Sequence, residues 1–375
     1  MKTFFRGRVH GIAGDANGVL VDGAAISWIG RAEGEAQAAD EVIQLEPGEL
    51  LAPGFIDLQV NGFGGHDAAE GRNSIDAISD ALPATGVTAF LPTLISAPVS
   101  VAADFAAAVA AADSRGARVL GAHIEGPFIN PSFRGAHDRA CLATPTAEQV
   151  EVIARARPRL VTLAPELPGA LEAIARLRRS GVVVSAGHTG ADFEQGQRAI
   201  EAGVRFGTHV YNAMPPVHHR LPGIALALIL DRRVTVGLIA DGMHVHPSVC
   251  RQLLAIKGGS RVALTTDQTA AAGTIAGAFQ LSGRRVVSDG VVVRLEDGTL
   301  AGSASTMEDL IGRVARLPGM NAEKAVTLAS TVPARVLGER RLGHIGLGAC
   351  ADLVVLDRDL HVRLTMVGGR VRFRR

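Results

Sequence analysis

The fold class this 375-residue sequence predicts is a (β/α)8 barrel of the TIM type with a small β-sandwich domain formed by both chain termini. Three observations lead there. Eight short apolar runs alternate with Ala-, Leu-, Glu- and Arg-rich helical patterns between residues 52 and 339. Residues able to do chemistry directly follow several of those runs, as they do at the C-terminal ends of barrel strands. The stretches 1–51 and 340–375 both read as short alternating β segments, and two such segments need each other to bury a face.

The elements follow in order. GAAISWIG and EVIQLEPGELL are strand-like runs broken by glycine-rich turns, and ADLVVLDRDLHVRLTMVGGRVRFRR near the other end shows the same alternation. The barrel strands expected are FIDLQVNG (55–62), VTAFLPTL (87–94), VLGAHIEG (119–126), LVTLAPE (160–166), VVVSAGHT (182–189), RFGTHVYN (205–212), VTVGLIADG (234–242) and VALTTD (262–267). Segments such as PGALEAIARLRRSG and DFEQGQRAIEAG supply the helices. A doubly wound sheet competes, but GFGG at 62–65 is not GxGxxG and no acid-ended second strand supports it. Residues 268–304 exceed a normal connection and read as a hairpin insertion placed where a lid over the barrel mouth belongs.

Composition narrows the function classes. The chain is 47% hydrophobic and 20% charged, with 38 Lys+Arg against 37 Asp+Glu. No basic block or aromatic-basic stripe points to nucleic acid, and no run approaches the roughly 20 apolar residues of a membrane span. Cys141, Cys250 and Cys350 form no CxxC pair and suit a reducing compartment. The opening MKTFFRGRVHGIAGDANG has charges and glycines where a signal peptide needs an apolar core. A cytoplasmic setting is expected.

The first barrel strand poses a question. Asp57, Gln59 and Asn61 alternate with apolar residues, so one face of a buried strand carries an acid and two amides. Later strands end in Glu125, His188, His209, Asp241 with His244, and Asp267. Two imidazoles and a carboxylate suit a catalytic divalent ion with open positions. Such an ion acidifies a water and polarises a carbonyl, while Asp267 can shuttle the proton. The combination describes metal-assisted hydrolysis of an amide or ester.

GAHIEGPFINP, SAGHTGADF, GTHVYNAMPP, ADGMHVHP, LTTDQTAAAGT and LAGSAST occur in this order, and together they resemble the N-acetylglucosamine-6-phosphate deacetylases of the amidohydrolase superfamily. The resemblance runs from PGFID to PARVLG and ADLVVLD. It implies deacetylation of a phosphorylated N-acetyl amino sugar, with the galacto epimer as the nearest alternative substrate. The His-x-His that many superfamily members carry on the first strand is Gln59 and Asn61 here. A strand-end lysine is absent too, the only lysines being Lys2, Lys257 and Lys324. One metal ion per subunit is therefore expected on Glu125, His188 and His209, zinc foremost, with iron, manganese or cobalt compatible. His66 is the single candidate for a substitute ligand.

The resemblance assigns Asp267 as general acid/base and His244 as donor to the substrate carbonyl, with Gln59 orienting water or substrate. Ala136, His137, Asn212 and Ala213 match substrate-contacting segments, and Leu300, Ala301 and Gly302 match a loop that closes over the ligand. Arg220, in HHRLPG, matches an arginine that reaches the sugar phosphate of the neighbouring subunit, which implies a homodimer. Other readings are plainer. His123 is expected in packing, Asp57 in orienting its neighbours, His218, His219 and His246 on the surface, and His10, His344 and His361 in the terminal β segments. A serine-nucleophile enzyme lacks its GxSxG elbow. A cyclic-amide amidohydrolase and a non-catalytic scaffold are the remaining alternatives.

Overall fold

The structure is a computed structural model that describes residues 1–12, 16–32 and 39–375. Eight parallel strands follow one another around a barrel: β1 (Phe55–Val60), β2 (Val87–Leu94), β3 (His123–Glu125), β4 (Leu160–Leu163), β5 (Val183–Ala186), β6 (Phe206–Gly207), β7 (Thr235–Leu238) and β8 (Val262–Leu264). Each lies in one of the expected runs. The ring closes through a parallel bridge from Val60 to Gln268, just beyond β8, where Asn61 and Gly62 also donate to the Gln268 carbonyl.

Every residue of β1 and β2 is buried. That is the signature of parallel strands covered on one side by helices and on the other by the barrel interior. The helices begin and end where local chemistry tells them to. Asp192 and Gln195 form a reciprocal capping box at the start of the helix Phe193–Ala202, and Gly203 ends it. Thr306 and Asp309 do the same for Met307–Ala315.

Strands from both chain ends build two further four-stranded sheets. One contains Lys2–Arg6, Gly18–Asp22, Ala25–Gly30 and Glu41–Gln44; the other contains Leu50–Pro53, Leu353–Leu356, Val362–Val367 and Arg370–Arg374. Phe5, Val19, Val21 and Ile26 of the first share a core with Leu51, Leu353, Val355 and Met366 of the second. The alternate residues Val354, Leu356 and Val362 join the barrel core instead. Period-two alternation thus lets one sheet glue the sandwich to the barrel.

The insertion forms a four-stranded antiparallel sheet over 277–303. Leu281, Val286, Val293 and Ala301 bury one face against Ile95 and Ala136, in the loops that leave β2 and β3. Each large side chain buried this way contributes roughly 1.5–3 kcal/mol. Two tethers add to it: the Ser282 amide donates to Asp67, and the Arg284 guanidinium donates to the Ala136 carbonyl. The sheet therefore sits over the C-terminal ends of the strands. The segment of Leu300, Ala301 and Gly302, expected as a loop, is its strand Leu300–Ser303. Among the described residues no helix is long and apolar enough to cross a membrane.

Candidate metal centre and active site

A cavity of about 320 Å³ opens at the C-terminal ends of the strands beneath the insertion. Asn61, Glu125, His137, His188, His209, His244 and Asp267 all line it. They come from the ends of β1, β3, β5, β6, β7 and β8 and from the loop after β3. Barrel closure is what unites them.

The backbone at these positions is unusual. His188, His209, Ala213 and Asp267 have φ of +50°, +27°, +50° and +51°. A non-glycine residue in this left-handed region costs about 1–3 kcal/mol, and such residues cluster where geometry serves function. Gly302, at φ +74°, answers a different need. A Cβ there would lie 2.6 Å from the Asp267 carbonyl oxygen, so glycine lets the insertion press against the strand end carrying Asp267.

At the centre lies the buried Glu125 carboxylate. Its Oε1 is 3.0 Å from His209 Nε2 and 3.3 Å from His188 Nε2, and the two imidazole nitrogens are 3.1 Å apart. His137 Nε2 approaches Oε2 at 3.7 Å. Burial pushes Glu125 up, but the three imidazoles outweigh it and hold the carboxyl well below the usual carboxylate range. His209 is raised despite burial, chiefly by Glu125, whereas burial and His188 push His137 down to about 4.

Hydrogen bonds assign different tasks to these rings. His188 Nδ1 stands 2.9 Å from the Phe133 carbonyl, which can only accept, so the neutral ring carries its proton on Nδ1 and turns the Nε2 lone pair inward. His137 is the opposite. Its Nδ1 accepts the Ser96 amide at 3.0 Å, so its proton is on Nε2, facing Glu125. Glu125, His137 and His188 each offer an atom within 4.8 Å of the others, but tautomer separates an inward lone pair from an inward donor. A carboxylate oxygen and the Nε2 atoms of His188 and His209, all 3.0–3.3 Å apart, fit a divalent ion with N and O donors.

The first strand now has its answer. The Gln59 amide donates to Glu125 Oε1 at 3.1 Å, and Asn61 donates to Asp267 Oδ1 at 2.7 Å. Asn61 Oδ1 is buried without a hydrogen-bond partner, on the cavity wall. Asp57 lies deeper, accepting from the hydroxyls of Thr265 and Thr266 and from the amides of Gln59 and Thr266. Burial outweighs those bonds and pushes its carboxyl up to about 6. Asp267 also rises to about 6, through burial and then the Glu125 charge. Its Oδ2 has no hydrogen bond among the described residues.

His244 is held by Asp241, which accepts from its Nδ1 at 2.7 Å and from its backbone amide at 2.8 Å. Of the other expected contacts, Ala136, Asn212, Ala213, Leu300 and Gly302 line the cavity, while Ala301 is buried behind it. Gln59 acts from below, through Glu125. Arg220 does not reach the cavity of its own chain; it is exposed on the loop before Gly223–Leu230. His66 is exposed and outside the lining.

Two groups escape a sequence reading. Glu166 accepts from Thr189 Oγ1, the Gly190 amide and the Asn130 side chain, and so clamps the turn that carries His188. A chain of polar contacts crosses the barrel interior from Thr93 through His123 and Thr162 to Thr208 and Ser185. Inward-facing threonines on several strands are its only trace in the sequence.

With the geometry in place, comparison with known proteins fixes the class. Residues 50–372 match the model of the amidohydrolase family, and the chain belongs to that family. Within it, the chain is 37% identical over 343 residues to an N-acetylglucosamine-6-phosphate deacetylase from Bos taurus, covering 86% of this chain and 83% of the relative. It is 36% identical over 331 residues to an N-acetylgalactosamine-6-phosphate deacetylase from Escherichia coli O157:H7, covering 86% and 88%. Among solved structures, an aspartate-to-alanine mutant of the N-acetyl-D-glucosamine-6-phosphate deacetylase from Mycobacterium smegmatis, in complex with N-acetyl-D-glucosamine-6-phosphate, superposes with a TM-score of 0.92. It is 32% identical to this chain, with 99% of each chain covered.

Proposed function

We propose that this chain hydrolyses the N-acetyl group of an amino-sugar 6-phosphate, with N-acetylglucosamine 6-phosphate as substrate and acetate and glucosamine 6-phosphate as products. The barrel of residues 52–339 carries the chemistry, and residues 1–51 with 340–375 form the structural β domain. One observation carries the reading: the triangle of Glu125, His188 and His209 shares a cavity with a separately held carboxylate, Asp267. The relatives above act on substrates of this class.

Glu125, His188 and His209 hold one divalent ion, zinc foremost, with iron, manganese and cobalt compatible with the same donors. Such an ion supplies a water acidified toward neutral pH and polarisation of the acyl oxygen. Asp267 acts next. With Oδ1 engaged by Asn61, its free Oδ2 takes the proton of the attacking water and delivers it to the departing amine nitrogen. A carboxyl raised to about 6 is suited to holding a proton and releasing it. His244 spends Nδ1–H on Asp241, so donation from Nε2 to the acyl oxygen uses the doubly protonated ring. Asn61 Oδ1 accepts the acetamide N–H, and the His137 Nε2–H steadies Glu125 or the ligand.

The phosphate needs a cation, and among the described residues no arginine or lysine lines the cavity. Arg220, exposed and without a partner for its guanidinium among the described residues, fills that role from a second copy in a homodimer. The three unpaired cysteines favour a cytoplasmic setting. N-acetylgalactosamine 6-phosphate is the second reading, supported by the near-equal identity to the Escherichia coli relative. The deciding assay is acetate release from each epimer before chelation, after it, and after metal is restored. Activity on N-acetylglucosamine 6-phosphate that vanishes and returns is expected. A folded, metal-loaded protein inert toward both epimers would refute the reading.

A further inference from the structure

The opposite end of the barrel takes no part in that chemistry. Arg205 and Arg261 immediately precede β6 and β8, whose other ends lead to His209 and Asp267. With Arg178, Arg233 and Arg335 they line a recess of about 270 Å³ whose floor includes Val182 and Val184. The five arginines come from different places: two helices and the approaches to three strands. Among the described residues no carboxylate lines the recess.

The neighbouring acids do not neutralise it. Glu201 and Asp231 both pair with Arg233, at 2.8 and 2.7 Å. Arg205 donates only to the carbonyls of Ile200 and Val204, and Arg335 to that of Ser260. The guanidinium groups of Arg178 and Arg261 make no hydrogen bond or ion pair among the described residues. Five guanidinium groups against two carboxylates leave an excess of three, on a chain whose net charge is only +1. Burial, then repulsion from Arg178 and Arg233, pushes Arg205 below its ordinary range. Like charges that share a recess repel one another, and an anion among them relieves that repulsion.

The hollow extends sideways in the same character. Arg261 also lines a space with Arg232 and Lys257, and Arg335 lines another with Arg251 and Lys324. Among the described residues neither wall contains a carboxylate or an aromatic ring. With nothing to stack a base, and with Arg205 and Arg261 half-buried, the recess suits a small ligand better than a nucleic acid strand.

We propose that this recess is a second ligand site, which binds a small molecule carrying a diphosphate group. A phosphate monoester brings a charge of about −1.5 to −2, less than the local excess, whereas a terminal diphosphate brings roughly −3 and enough oxygens for several guanidinium forks. Occupancy ties together the starts of the two strands that lead to His209 and Asp267.

Titration calorimetry with inorganic pyrophosphate tests this on the metal-loaded protein, with the catalytic cavity saturated by glucosamine 6-phosphate. The comparison chains are the double variant Arg178→Gln/Arg261→Gln and the distant surface variant Arg370→Gln. Pyrophosphate also sequesters metal, but equally for every chain, so the difference between chains is what is read. One-to-one binding at least tenfold tighter than orthophosphate is expected, at least tenfold weaker in the double variant and unchanged in Arg370→Gln. If the double variant does not fold, Arg178→Gln alone is expected to weaken binding at least threefold. Equal binding by all chains, no binding, or binding of heparin without pyrophosphate would each overturn the site. Acetate release, assayed separately, can fail without touching this result.

Discussion

Glu125 and the arginine recess sit at opposite ends of the barrel, and the two regions treat concentrated charge differently. Around Glu125, each buried charge faces an opposing or proton-bearing group: three imidazoles at 3.0–3.7 Å, with Asn61 on Asp267 and Asp241 on His244. Around Arg205, like charges face one another with too few acids between them. Burial explains the contrast. A deeply buried charge must be compensated within the fold, whereas solvent tolerates an excess of half-exposed guanidinium groups. The catalytic end therefore meets its buried charges within the fold, and on our proposal the other end meets its excess with an anion.

The comparison can be broken most severely at Glu125. Glu125→Gln keeps the size and removes the charge on which three imidazoles converge; metal analysis should find the ion lost and acetate release at background. Retained metal with full activity would end the ligand assignment. Asp267→Asn comes next. It should retain metal while turnover falls by about 10²–10⁴, measured at matched metal content.

Asp57 sharpens the contrast through pH. Its carboxyl is raised from 3.8 to about 6 by burial, so its stabilising contribution is full below pH 3.8 and is lost as pH rises through about 6. The stability of Asp57→Asn relative to the parent should therefore climb between pH 4 and 7, by up to about 3 kcal/mol. Denaturation at both ends of that window checks the sign. The smallest effect belongs to the other end of the barrel: Arg178→Gln should stay within about 0.5 kcal/mol of the parent. Any gain in melting temperature at low salt should fade at high ionic strength.

The eight strands were legible because each is an apolar run followed by a polar residue, and that punctuation also exposed Glu125, His188, His209 and Asp267. What the linear text hides is orientation. Nothing in GPFINPSFRGAHD says that His137 Nδ1 accepts from Ser96 while His188 Nδ1 donates to Phe133, yet those bonds separate a donor from a ligand. The LAGS segment is strand because Val292–Arg294 pairs with it at the edge of the insertion sheet, which local composition does not announce. Arg178, Arg205, Arg233, Arg261 and Arg335 each look like an ordinary surface arginine. Only closure of the ring brings them together.

The sheet that joins the sandwich to the barrel also bears on how the chain is made. Leu51 pairs with Val355, and Phe5, Val19 and Ile26 share a core with Leu353 and Met366. Some 300 residues separate these partners. At about 5–20 residues per second of synthesis, the earliest strands wait roughly 15 to 60 s on the ribosome for the residues that cover them. During that interval their apolar faces and open edges are candidates for chaperone binding, and the barrel is free to assemble first.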